Sequence, residues 1–206
     1  MSVTNTAAGQ CQVVGVDNSV AMIEEAKKRG APPNVEFRIA EATNLPFADG
    51  SFQASRADRS LMHVPDAPTA IAEMVRVTRG RVVVYEVDFE TVTIDVPNRD
   101  LARKIIHCWC DGFREGWLGR EMPGLFGAMG LTDVQIIPHV LRLTPALALP
   151  IMDQSTTERA VTAGTITRAE AESWLGTLDE LQRSGRFFAT LTGFLVCGVS
   201  SGLPSK

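Results

Sequence analysis

The feature that most restricts this chain is an alternation: short β-branched runs and amphipathic stretches take turns from Val13 to Val199. Val13 to Asp17 (VVGVD) reads as a strand. Ser19 to Arg29 then reads as a helix, with Val20, Ile23 and Ala26 on one face and Gly30 as its stop. Val35 to Ile39 predicts a second strand, Leu45 to Gly50 a turn, and Phe52 to Ala57 a third strand. Asp66 to Thr78 predicts a helix with Pro68 in its first turn and Ile71, Met74, Val75 and Thr78 as its inner stripe. Arg81 to Val87 (RVVVYEV) is apolar on both faces, as a central parallel strand requires.

The second half continues the pattern. A helix is expected from Asn98 to Trp117, with Leu101, Ile105, Cys108, Trp109, Gly112 and Phe113 along one side. A short helix from Pro123 to Met129, closed by Gly130, precedes a strand from Thr132 to Pro138. Two capping boxes, Ser155 with Glu158 and Thr167 with Glu170, mark two helix starts, the second helix running to Gly185. Phe187 to Val199 is the last strand. Strands alternating with helices imply an α/β, doubly wound, mainly parallel sheet with helices on both faces. One domain over residues 1–206 is expected, with a leader over 1–12 and a helical insertion over 140–186. Ligands of such sheets bind outside the carboxyl ends of the strands.

Composition narrows the function classes. Hydrophobic residues at 45% and charged ones at 21% are ordinary globular usage and argue against disorder. A net charge of −4 with scattered Lys and Arg argues against a nucleic-acid surface. Met1 to Gln10 has neither the basic start nor the apolar run of a signal peptide. The longest uncharged stretch, Phe187 to Leu203, is shorter than the roughly 20 apolar residues of a spanning helix and is interrupted by Gly, Ser and Thr. Cys11, Cys108, Cys110 and Cys197 follow no disulfide or zinc spacing, which fits plain thiols in a reducing cytosol and gives no metal site.

Two strand-end acids carry the first functional signal. A carboxylate at Asp17 could accept two hydrogen bonds from the vicinal hydroxyls of a ribose, or could cap the following helix. Glu41 could accept from an adenine amino group while the amide beside it, at Ala42, donates to a ring nitrogen. It could also be a solvated loop acid. Both acids follow adjacent strands of one sheet.

In this order, VVGVDNSVAMIEEA, EATNLPFADGSF and LMHVPDAPTAIAEMVRVTRGRVVVYE resemble the class I S-adenosylmethionine-dependent methyltransferases. The nearest group is the small-molecule one typified by the ubiquinone and menaquinone biosynthesis methyltransferases, and the likeness covers roughly Val13 to Val87. The resemblance implies S-adenosyl-L-methionine as cofactor and methyl transfer to a small-molecule acceptor. It implies that Asp17 binds the ribose, that Asn18 and Met22 flank ribose and adenine, and that Glu41, Ala42 and Thr43 meet the adenine edge. Arg56, Ala57 and Asp58 would lie near the methionine part. Methyl transfer depends mainly on alignment, and His63 is the candidate base for the acceptor proton, with packing at a helix start as its other reading. Tyr85, Glu86 and Asp88, at the end of the strongest strand, would shape the acceptor pocket, with core packing as the alternative for Tyr85.

The chain departs from the family pattern at its start. The family begins with a strand, a glycine-rich turn and a crossover helix, and no G-x-G-x-x-G precedes Val13. Ser2 to Thr6 could form a strand, but a parallel crossover needs a dozen residues or more, so it could pair only antiparallel. An N-terminal truncation, real or from a displaced start codon, is the expectation. Losing about three hydrogen bonds at about 1 kcal/mol each would weaken cofactor binding about a hundredfold or more. Gln53 stands where the family has Asp, Ala54-Ser55 where branched residues are expected, and Thr78-Arg79-Gly80 is a shortened turn. The rival readings are a non-catalytic remnant of the fold and a nicotinamide-dependent oxidoreductase, which also uses a strand-end acid. The LPF…SF and HVPDA segments argue against the latter. Unpaired strand edges would favour a homodimer.

Overall fold

The computed structural model describes residues 2–3, 11–149 and 151–200. By internal contacts the chain forms two compact units. The first takes residues 1–86, 119–137 and 194–206, the second 87–118 and 138–193.

The first unit is built on two strand–helix–strand crossovers. In the first, β2 (Val13–Asp17), α1 (Val20–Lys28) and β3 (Val35–Ile39) place β2 and β3 parallel, in register from Val13 opposite Val35 to Asp17 opposite Ile39. Val13, Val14 and Val16 are buried, and a Cβ on Gly15 would stand 2.8 Å from the Phe37 ring, so only glycine lets these two strands meet there. Ser19 caps α1 by accepting from the Met22 N–H at 3.3 Å, and Gly30, with φ 76°, ends the turn beyond it. The expected three-residue apolar face is narrower: Ile23 is buried and Ala26 half-buried, whereas Val20 is 59% exposed. A helix this short rests on the sheet through a single turn.

The second crossover runs through β4 (Phe52–Asp58), a 3₁₀ turn at Leu61–His63, α2 (Ala67–Val77) and β5 (Thr78–Ile94). β4 and β5 are parallel, from Phe52 opposite Thr78 to Asp58 opposite Tyr85. Asp66 caps α2 by accepting from the Thr69 N–H at 2.9 Å. Ala67, Ala70, Ile71, Met74 and Val77 form the buried stripe, while Val75, expected inside, is half-buried because the helical period carries it off that face. The weak strand composition at Ala54-Ser55 has a packing reason. Ser55 is buried under α2 and its hydroxyl donates to the Met74 carbonyl at 3.4 Å.

β1 (Ser2–Val3) pairs antiparallel with β2, Ser2 opposite Gly15 and Val3 opposite Val14, as the short leader requires. The rest of the expected Ser2–Thr6 strand lies outside the described residues. The hydrogen-bonded sheets have the orders β1-β2-β3 and β4-β5-β7-β6, and β1 also lies beside β4. From this centre the first crossover proceeds outward to β3 and the second outward to β5. The fold is therefore the expected α/β, Rossmann-like one, with its switch of direction between β2 and β4.

β5, β6 (Thr132–Leu143) and β7 (Ala189–Val199) each run from one unit into the other. In the second unit, α3 (Arg99–Cys110) is capped by Asn98, whose side chain accepts from the Leu101 N–H at 3.0 Å. It stops at Cys110 instead of Trp117: a Cβ on Gly116 would stand 2.8 Å from the Cys110 carbonyl, so the chain turns tightly there. Phe89, Trp109 and Phe113 pack with ring centroids 4.3–5.1 Å apart. α4 (Leu118–Ala128) starts at Leu118 and contains Pro123, which was expected to open it. After α5 (Pro145–Ala148), α6 (Gln154–Thr162) is capped by Asp153 in place of Ser155, its carboxylate accepting from the Ser155 N–H at 2.8 Å. Glu158 instead takes Arg168 in an ion pair. α7 (Arg168–Arg183) has the expected capping box of Thr167 and Glu170. β7 begins at Ala189, two positions inside the expected strand. Among the described residues, no helix is long and apolar enough to cross a membrane.

Candidate functional site

A cavity of about 500 Å³ opens at the carboxyl ends of β2, β3 and β4, all within the first unit. Its size falls in the range usual for small-molecule sites, and it lies at the switch point where α/β sheets bind ligands.

Three short segments supply the wall. From β2 come Val16, Asp17 and Asn18, with Met22 from the first turn of α1; from the end of β3 come Ala40, Glu41 and Ala42. Asp17 is half-buried, and one carboxylate oxygen accepts from the Ser19 N–H at 2.8 Å. Because Ser19 caps α1, Asp17 is not the helix cap, and its second oxygen has no hydrogen bond among the described residues. The Asp17 carbonyl accepts from the Ala40 N–H at 3.0 Å, which locks the ends of β2 and β3 together. Asn18 donates to both Glu41 oxygens, at 3.3 and 3.4 Å, so the two acidic strand ends are joined by one amide.

The third segment follows β4. Arg59, Ser60, Leu61, His63, Val64 and Pro65 line the cavity, with His63 exposed in the 3₁₀ turn. The Arg59 N–H donates to the Tyr85 carbonyl at 2.8 Å. Glu86 lies beneath this segment, fully buried, and one oxygen accepts from the Ser60 N–H at 2.9 Å and the Leu61 N–H at 2.7 Å. Its other oxygen is buried with no partner among the described residues. Burial pushes the Glu86 carboxyl up to about 7, against the lowering pull of the backbone amides.

The structure thus brings Asp17, Asn18, Met22, Glu41, Ala42 and His63 to one cavity. Thr43 is half-buried beside it and does not line it. Ala57 is fully buried, and Arg56 and Asp58 pair with each other at 2.8 Å at the rim of β4. Tyr85 and Glu86 do not line the cavity; the Tyr85 carbonyl accepts from the Arg59 N–H, and Glu86 accepts from the Ser60 and Leu61 N–H groups. Asp88 belongs to the second unit, where its carboxylate accepts from the Glu90 N–H at 3.2 Å and its carbonyl from the Thr91 hydroxyl. Arg59, Ser60 and Leu61 were missed by sequence reasoning. Their signal was available: they follow directly on the end of β4, at Asp58, one residue past the end of the expected third strand.

Residues 2–85 match the family model of the methyltransferase domain, and every residue lining the cavity falls inside that span. The chain is 35% identical over 191 residues to an uncharacterized 37.1 kDa protein in transposon TN4556 of Streptomyces fradiae, covering 90% of this chain and 54% of that protein. It is 46% identical over 76 residues to the demethylmenaquinone methyltransferase of Beutenbergia cavernae, covering 36% of this chain and 31% of the enzyme. The chain therefore spans about half the length, or less, of these curated relatives. Among solved structures, the YcgJ protein of Bacillus subtilis superposes with a TM-score of 0.57 at 22% identity, covering 90% of this chain and 81% of that one. A candidate methyltransferase of Bacillus halodurans C-125 superposes with a TM-score of 0.60 at 12% identity, covering 91% and 82%.

Proposed function

We propose that the chain is a class I S-adenosylmethionine-dependent methyltransferase, and that its cavity at β2, β3 and β4 holds S-adenosylmethionine for methyl transfer to a small-molecule acceptor. The observation that carries this reading is the coincidence of the cavity with the matched span. Adjacent strand ends present the Asp17 carboxylate and Glu41 to one space.

The donor set suits the cofactor's adenosine half. Asp17, with one oxygen already engaged by Ser19, keeps the other for a ribose hydroxyl. Glu41 and the Ala42 amide offer an acceptor and a donor side by side for the adenine edge, and Met22 gives an apolar, polarizable wall. The Asn18 amide must shift or share its bond to Glu41 when adenine arrives. When bound, the cofactor supplies an electrophilic methyl group on a sulfonium. The protein's own part is alignment and exclusion of water. His63 stands on the same cavity and is the side chain placed to take the proton that the acceptor loses.

Titration calorimetry with S-adenosylmethionine tests the reading. Micromolar binding is expected, with Asp17→Asn weaker by about tenfold or more because a charge-assisted bond to the ribose is lost. Absence of binding, or a thermal shift with NAD and none with S-adenosylmethionine, would overturn it.

A further inference from the structure

Among the described residues lining the cavity, Arg59 is the single permanent cation; Asp17 and Glu41 are acids. S-adenosylmethionine has one anionic group, the carboxylate of its amino-acid end. In the strand order, Glu41 follows β3, Asp17 ends β2, and Arg59 follows β4 on the far side of Asp17. A ligand with adenine at Glu41 and ribose at Asp17 therefore directs its amino-acid end toward Arg59.

The backbone at Arg59 gives an independent reason to assign the side chain a task. Its φ is 47°, one of two positive values at non-glycine positions among the described residues. The Tyr85 carbonyl holds it there through the Arg59 N–H. Glycine would adopt this conformation without strain, so an arginine at a strained position beside a ligand cavity points to a role for the guanidinium. That guanidinium is solvent-accessible, and its Nε donates to Asp58 at 3.1 Å, while Asp58 also takes Arg56 at 2.8 Å. This pairing steers the side chain and leaves a planar fork suited to bidentate recognition of a carboxylate.

Resting on the reading of the cavity as a S-adenosylmethionine site, we propose that Arg59 binds the cofactor's amino-acid carboxylate and sets specificity for it.

The test compares three ligands, S-adenosylmethionine, its decarboxylated analogue and 5′-methylthioadenosine, on the wild-type protein, Arg59→Gly and Arg59→Lys by calorimetry. Arg59→Gly relieves the backbone strain and is expected to fold at least as well. The wild type should prefer S-adenosylmethionine over the decarboxylated analogue by about ten- to a hundredfold. Arg59→Gly should lose that preference while its affinity for 5′-methylthioadenosine stays within about twofold, inside the ordinary scatter of an additive contact. Arg59→Lys should restore part of the preference. Equal loss for all three ligands, or a wild type indifferent to the carboxylate, would overturn the assignment of Arg59 alone. Failure of the wild type to bind any of the three would overturn the cavity reading and this proposal with it.

Discussion

Replacing Glu86 by glutamine removes a proton-binding group from the interior while keeping an acceptor for the Ser60 and Leu61 amides. The folded protein holds the Glu86 proton up to about pH 7, whereas an ordinary carboxyl releases it near 4.5. The group's contribution to stability is therefore complete below pH 4.5 and is lost as pH rises toward 7. At about 1.4 kcal/mol per pH unit the loss comes to about 3 kcal/mol. Glutamine does not titrate, so the stability of Glu86→Gln relative to wild type should rise by about 3 kcal/mol between pH 4.5 and pH 7.5. All three tryptophans lie in the second unit, so their fluorescence would report on the wrong region. Urea unfolding followed by far-ultraviolet circular dichroism at several pH values, with hydrogen exchange at the Ser60 and Leu61 amides, is the suitable assay. Parallel pH profiles for the two proteins would show that Glu86 titrates normally and would refute the reasoning.

Two further predictions concern what holds the cavity's strands in place. Gly80→Ala would put a Cβ 2.3 Å from the Gln53 carbonyl, so β4 and β5 must separate; a destabilisation of about 2 kcal/mol or more is expected in urea titrations. Arg76 donates to the Leu45 and Phe47 carbonyls and pairs with Glu73 and Asp49, so Arg76→Met should cost about 2 kcal/mol and speed amide exchange across residues 45–49.

Much of the fold was legible because its signals are local. β2 and β3 begin and end where their β-branched runs do, and Asp66, Asn98 and the Thr167–Glu170 box mark helix starts through bonds within one turn. The misplaced boundaries have contacts as their cause. Ser155 looked like a cap, yet Asp153 takes the amides while Glu158 is drawn away by Arg168. α3 ends before its helical period does, because the chain turns back where Gly116 meets the Cys110 carbonyl.

By itself the sequence determined the alternation of strands and helices, the acids at Asp17 and Glu41, and the methyltransferase resemblance of Val13 to Val87. These follow from local periodicity and from residues close along the chain. Only the tertiary structure decided that Arg59 and Ser60, and not Arg56 to Asp58, face the cavity. It also placed Glu86 beneath that wall instead of on it. The physical reason is that β4 runs to Asp58, so the segment that leaves its carboxyl end, where ligands of α/β sheets bind, starts only at Arg59.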